Sequence, residues 1–202
     1  MTELGELLHA PPTDRDATPP VDAVRAFVFL SGVRWIKEHG YDPQLQALMP
    51  PSLVDMRSTA AAGDWLPVAE ARLVYAALDQ LGLSVDEQME LGRYVAMANN
   101  GVIVNTIARL SGKLGLTPWP VLARLHGLWL RNNRGGAVAI YKLAERSARL
   151  EFRGVPFADS PFFRTSLCGS LAGALEPFAA NVRVNEMNDL RKSDEFSLRV
   201  VW

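Results

Sequence analysis

The apolar positions of this chain change period about two-thirds of the way along. Up to roughly residue 134 they recur at helical spacing, and beyond it they alternate. Ala148–Arg149–Leu150–Glu151–Phe152–Arg153 reads apolar, charged, apolar, charged without a break, the period of two that marks a strand with one buried face. Ala137–Leu143 is apolar on both faces, which suits a more central strand, and Ala144–Ser147 is the polar turn of a hairpin. Ser160–Pro161 supplies an N-cap and a first helical residue, predicting a helix to about Glu176, stopped near Pro177. Phe163, Leu167, Leu171 and Leu175 recur every four residues as its buried stripe. Val182 and Val184 then alternate with Arg183 and Asn185. Phe196, Leu198, Val200 and Trp202 alternate with Ser197, Arg199 and Val201. These are two further strands, joined by the polar loop Met187–Glu195.

The first two-thirds reads as helices. Val21–Gly40 is the first ordered element. Val24–Leu30 is β-rich, but Arg25, Phe29, Val33, Ile36 and Lys37 fit a helix through Glu38 with Gly40 as its stop. Leu45–Met49 is a short helical turn ended by Pro50–Pro51, and a second short helix falls around Leu53–Ala61. Trp65–Leu66–Pro67 opens a helix to about Leu81, with Leu73, Ala76, Ala77, Gln80 and Leu81 on its spacing. Ser84 with Glu87 is a capping box that starts a helix through Asn99, ended by Asn100–Gly101. Val102–Leu114 and Thr117–Leu130 are the last two helices of this half. Asn132–Gly136 is the hinge into the alternating block. Met1–Pro20 holds four prolines and reads as a mobile tail with a short helix at Glu3–His9.

The predicted class is α+β. A Pro-rich flexible tail (1–20) precedes one domain (21–202). Its helical half (21–134) packs on a small four-stranded antiparallel sheet built as hairpin, helix, hairpin (135–202).

At 202 residues with 49% hydrophobic content, the chain is large enough for a real core. No apolar run reaches the roughly 18–20 residues of a membrane span, and the start has no signal-peptide pattern. One cysteine, Cys168, allows no internal disulfide and fits the cytoplasm. The net charge of −1 hides a division. Residues 1–104 carry seven Lys/Arg against fourteen Asp/Glu, net −7, and residues 105–153 carry nine against two, net +7. A basic segment serves an anionic partner, a second copy of the chain, or simply solvation. Arg124, Arg131, Arg134, Arg146, Arg149 and Arg153 crowd it, but Arg149 and Arg153 share a face with the acid Glu151 where a nucleic-acid surface would interleave aromatics, so nucleic acid is not expected.

Candidate chemistry is sparse. No His–x3–His, Cys–x2–Cys or phosphate-loop pattern occurs. Cys168 is a nucleophile or ligand only with a base or further ligands beside it; otherwise it is a small core residue. The helix over 161–176 carries a stripe of small residues, Ser166, Gly169, Ser170 and Gly173. Glycine within a helix costs about 1 kcal/mol relative to alanine, so something approaches that face closely: a sheet, another helix or a ligand. A pocket there would be walled by Val138, Ile140, Leu150 and Phe152 of the sheet and by the helix carrying His126 and Trp129, with His126 and Cys168 as its polar groups. An open pocket tolerates Gly169→Leu with little change in melting temperature, whereas plain packing does not.

Several stretches carry a likeness. Val24–Leu30 leading into Arg34–Trp35, Leu48–Met49–Pro50, Trp65–Leu66–Pro67, Phe162–Leu171, Val182–Arg183–Val184, Phe196 and the closing Trp202 resemble a family of unknown function expanded by paralogy in myxobacteria. More distantly, the hairpin–helix–hairpin block is similar to the vinyl-reductase-type ligand-binding domain, itself akin in fold to heme–nitric-oxide-binding domains and acyl-binding trafficking subunits. The resemblance implies a non-catalytic sensory or protein-interaction module with an internal pocket, often a homodimer, with a small apolar ligand or a signalling protein as partner. Vinyl-reductase-type domains often hold zinc with cysteines. Cys168 matches the helix position, but the loop offers Glu186, Asp189 and Glu195, hard oxygen donors that zinc structural sites do not favour. The heme-binding relatives need a proximal histidine and Tyr–x–Ser–x–Arg, and Tyr141 is followed by Lys142 and Leu143. The expectation is therefore no cofactor, no metal and three solvated acids. The alternatives are a metal- or Cys-dependent protein using Cys168, or a binder of anionic partners through 105–153.

Overall fold

The computed structural model describes residues 5–9, 18–111, 117–187 and 193–202. The alternating block folds as its period requires. Strands β5 (Ala137–Ala144) and β6 (Ser147–Arg153) form the first hairpin. Helix α8 (Pro161–Leu175) follows, and β7 (Arg183–Glu186) and β8 (Phe196–Val201) form the second. Leu150 faces both Ile140 and Leu198 in register, so one face of the sheet is continuously apolar. The Ser160 hydroxyl accepts from the Phe163 N–H at 3.1 Å and caps α8.

The sheet has five strands, not four. β1 (Glu6–His9) lies antiparallel to β5 at one edge, giving the order β1-β5-β6-β8-β7. The helix read at Glu3–His9 is therefore a strand over its described part. The free main-chain edge of β5 offers it a ladder of hydrogen bonds that a two-turn helix in water cannot match. A second sheet, β3-β2-β4, joins β2 (Ala23–Arg25), β3 (Trp65–Pro67) and β4 (Asn133–Arg134). The helices read at Val24 and Trp65 consequently begin later: α1 covers Ala26–Glu38 and α4 Val68–Asp79.

Between them lie α2 (Asp42–Leu48) and α3 (Pro51–Thr59). Helix α5 runs unbroken over Val85–Ser111. The stop read at Asn100–Gly101 is not taken, since the weak helix penalty of glycine is overridden by context. The capping box is built: the Ser84 hydroxyl bonds Glu87 at 2.7 Å. With the Tyr41 hydroxyl, whose bond is the larger effect, it holds the Glu87 carboxyl down at about 2. The helix read over 117–130 is instead two pieces, α6 (Trp119–Leu122) and α7 (Leu125–Asn132).

The small face of α8 meets another helix, where sheet packing was the plain expectation. Along it lies α5, in the most extensive helix–helix contact of the chain. A Cβ on Gly169 would stand 2.0 Å from the Met89 carbonyl oxygen, and one on Gly92 1.9 Å from that of Ser166. The Ser170 hydroxyl donates to the Gly92 carbonyl at 2.9 Å. The opposite face of α8 lies on the sheet through rings: Phe163 meets Phe196 edge-on, and Phe196 stacks on Phe152 at 4.8 Å. Among the described residues no helix is long and apolar enough to cross a membrane.

Candidate functional site

Two apolar cavities sit where α1, α4, α5 and α8 converge. The first, about 100 Å³, lies between Gly32 and Ile36 of α1, Leu78 of α4, Leu91 of α5 and Ser166 of α8. The second, about 140 Å³, reaches Trp129 and Asn132 of α7 and Phe152 of β6. They share six lining residues, Val28, Tyr75, Val95, Phe163, Leu167 and Ser170, so they are two compartments of one chamber. A third cavity of about 150 Å³ is polar, lined by Arg72, Asp79, Asp159 and Ser160, and also touches Tyr75.

Tyr75 stands at the junction of all three. Its ring lies 5.5 Å from Phe29, 5.0 Å from Phe157 and 5.2 Å from Phe163. It is 8% exposed, and burial pushes its phenol pKa well up, so the hydroxyl keeps its proton at neutral pH. Of the positions read on this helix Ala77 and Leu81 are buried but Leu73 is exposed; the rest of the buried face is Ala71, Val74, Tyr75 and Leu78. Those four stand at i, i+3, i+4 and i+7, the helical signature that could have singled Tyr75 out.

The residues expected around a pocket are not all brought to it. Ser166 lines the first compartment, and Trp129 and Phe152 line the second. Val138, Ile140 and Leu150 are fully buried in the sheet but border neither. Gly169 and Gly173 are closed off by Met89 and Arg93 of α5. His126 is buried, and its Nδ1 accepts from the Val138 N–H at 3.3 Å, which ties α7 to β5. Cys168 lies outside both walls. Burial foremost, with the nearby Glu186 carboxylate, pushes its thiol up to about 12. Thiolate is the reactive form, so this cysteine is chemically quiet. The polar groups the chamber does contain are Tyr75, Asn132, Asn133, Ser166 and Ser170.

The acids expected in solvent divide. Glu186 accepts from Arg164 Nε at 2.9 Å, and both side chains are largely buried. Its expected solvation gives way because Arg164 needs a counter-charge there. Asp189 lies outside the described residues. Among the described residues no group of three or more His, Cys, Asp and Glu is placed to hold a metal ion.

The basic segment spends much of its charge internally. Glu151 receives Arg149 at 3.1 Å and Arg153 at 2.7 Å, and the Arg149 guanidinium lies over the Tyr141 ring. Arg134 lies over Trp65 and 3.9 Å from Asp22.

No protein-family model matches the chain, and no curated protein matches it either. Solved structures do. A variant of an H-NOX protein from K. algicida superposes with a TM-score of 0.58 at 12% identity, over 88% of this chain and 95% of that one. The Fe(II) unliganded H-NOX protein from K. algicida gives 0.57 at 11% identity, with the same coverage. An H-NOX variant from T. tengcongensis gives 0.50 at 13% identity, over 87% and 94%. At such identities the likeness is one of fold: this chain has an H-NOX-like fold.

Proposed function

We propose that the chain is a non-catalytic sensory module that takes a small, mainly apolar molecule into the two-compartment chamber. The observation that carries this reading is the chamber itself. A cavity of about 150 Å³ lined by Leu, Ile and Phe stays dry and accepts benzene or xenon, and compartments of about 100 and 140 Å³ fall in that range. The H-NOX-like fold supports a ligand-binding role.

Heme, which is named for H-NOX neighbours, does not fit these walls. Among the described residues neither compartment is lined by a histidine, cysteine or methionine to hold iron, or by a lysine or arginine to meet the propionates. Tyrosine is a heme ligand in some proteins, but the raised pKa of Tyr75 disfavours the phenolate an iron bond requires.

Thermal denaturation with an apolar probe tests the proposal. Toluene at ten times its Kd should add about 1.4 kcal/mol, raising Tm by about 3–6 °C for a chain of this size. Val28→Phe, which fills the shared wall, should abolish the rise. Hemin added to the same protein should produce no Soret band beyond that of free hemin. A stoichiometric heme complex, or no response to any apolar probe, would overturn the reading.

Assembly as a homodimer belongs to the same proposal. It is supported by the opposite charges of 1–104 and 105–153, whose complementarity already appears within the chain at Asp22–Arg134. The dimer should weaken with added salt, because exposed charges are screened beyond about 8 Å at physiological ionic strength. A monomer by light scattering at low salt and tens of micromolar would refute it.

A further inference from the structure

The two compartments together describe a guest by their extent and their lack of charge. At about 100 and 140 Å³, neither is larger than a cavity that accepts one benzene ring. They abut along residues they share, Val28, Val95 and Leu167 among them. A guest confined to one compartment leaves the other unfilled, and the unfilled lining forfeits its contacts. Every described residue on either wall is uncharged, and an ion moved out of water onto such a wall is strongly disfavoured. The walls therefore suit a guest that is neutral and longer than one ring.

One residue keeps the first compartment open. Gly32 lies inside α1, where glycine is less favourable than alanine. Main-chain atoms pressed against Gly92 and Gly169 explain those glycines, but nothing of the kind meets Gly32. A Cβ added there would find Leu91 Cδ2 and Val95 Cγ2, both at 3.8 Å, which is ordinary contact. Packing therefore admits a side chain at this position. Gly32, Leu91 and Val95 all line the first compartment, so the side chain that glycine lacks is room for a guest. Ala174 of α8 stands on the wall of the second compartment and not of the first.

We propose that the chamber takes an uncharged, unbranched aliphatic molecule laid across both compartments, and that Gly32 sets the length it accepts. By the measure of one benzene ring to a cavity of about 150 Å³, that length is roughly eight to ten carbons. This rests on the ligand-binding reading above and narrows it from apolar molecules in general to neutral chains. A chain can bend around Val28, Val95 and Leu167, which come from three different helices, whereas a rigid plane needs them aligned.

Calorimetric titration of the full chain with 1-alkanols of increasing length tests this, with octanoate and octylammonium as charged counterparts of 1-octanol. Affinity should rise about three- to four-fold per added methylene, up to about nine carbons, and then fall. At neutral pH 1-octanol should bind at least about ten-fold more tightly than either ion. Gly32→Leu should shorten the optimum by about two carbons or more while leaving 1-butanol affinity within about two-fold, because the second compartment still holds a short guest. Ala174→Leu should do the same from the other end. Without ligand, both variants should melt within a few degrees of wild type. An optimum that only one variant moves, or neither, would mean that the guest does not lie across both compartments and would overturn the assignment. Octanoate binding as tightly as 1-octanol would overturn it too. So would a ligand-free variant that melts far below wild type, since the space given to the guest would then be absent. Toluene binding without this dependence on chain length would leave the apolar chamber standing and the chain assignment refuted. No response of wild type to toluene or to any alkanol would remove the ligand-binding reading itself.

Discussion

Gly169→Ala is expected to destabilise the chain by about 3 kcal/mol or more, at or beyond the top of the usual range for overpacking. That corresponds to a fall in Tm of about 6–12 °C for a chain of this size. The added Cβ would lie 2.0 Å from the Met89 carbonyl oxygen, and a main-chain oxygen inside a helix has no rotamer by which to withdraw. Helices α5 and α8 would have to part along their contact, breaking the Ser170–Gly92 hydrogen bond. Gly92→Ala should behave alike, from the other side of the same contact. The sign is what makes the test sharp, because alanine is favoured over glycine inside a helix by about 1 kcal/mol. Gly127 of α7, with nothing within 4 Å of its missing Cβ, is the control: its alanine variant should be as stable as wild type or more so. Denaturant melts of the three variants decide it. A Gly169→Ala protein as stable as wild type would mean that the two backbones do not approach as described, and that the small stripe of α8 is open.

Glu186→Ala should cost about 3 kcal/mol, and by a different route. Arg164 is 8% exposed at its side chain and pairs with Glu186 at 2.9 Å, while also donating to the Ala158 carbonyl. Removing the carboxylate leaves a buried cation without its counter-charge, which in comparable pairs costs about 3–5 kcal/mol. Glu186 is partly exposed, so the lower end applies. Replacing both partners, as in Arg164→Met with Glu186→Leu, should recover most of the loss, since an apolar pair of similar volume often substitutes well for a buried ion pair. Cys168 supplies an independent readout. Glu186 raises its pKa and Arg164 lowers it, so in Glu186→Ala the thiol should react faster with an alkylating reagent at fixed pH. Unchanged stability together with an unchanged alkylation rate would mean that the pair is not formed.

The sheet was legible because its chemistry is local. Alternation at 148–153 and 196–202 sets which face is buried whatever the partner strand is, and the observed register places Leu150 and Leu198 together on the apolar face. The start of α8 was legible for the same reason, since Ser160–Pro161 contains its own cap. What could not be read depended on distant partners. Glu6–His9 forms a strand because β5 has an edge to cover, and no residue in that segment encodes it. Asn100–Gly101 reads as a helix end, yet α5 continues. The small stripe of α8 was readable as a close approach, but not as an approach by α5. For the chamber, ring and helix signals were present at Trp129 and Phe152. Tyr75 was missed because the spacing was traced through Leu73 rather than Val74, and the polar roles were given to His126 and Cys168, whose surroundings make one a structural tie and the other inert.

The way residues near the start are fastened has a consequence for how the chain is made. Glu6–His9 pairs with 140–142. The Pro19 carbonyl accepts from the Gly136 N–H, the Val21 N–H donates to the Gly154 carbonyl and the Asp22 N–H to that of Arg134. Each partner lies more than a hundred residues further along. On a ribosome adding roughly 5–20 residues per second, the stretch 6–22 therefore waits several seconds before any of these partners exists. The helices of the first half can form in that interval, but the sheet edge and the Pro19–Asp22 stitch cannot. Loop closure over such separations is slow relative to local helix formation. A late step of folding should thus be the return of residues 6–22 onto the later-made segments around 134–154, and a nascent chain halted before residue 134 should leave 18–22 open to protease.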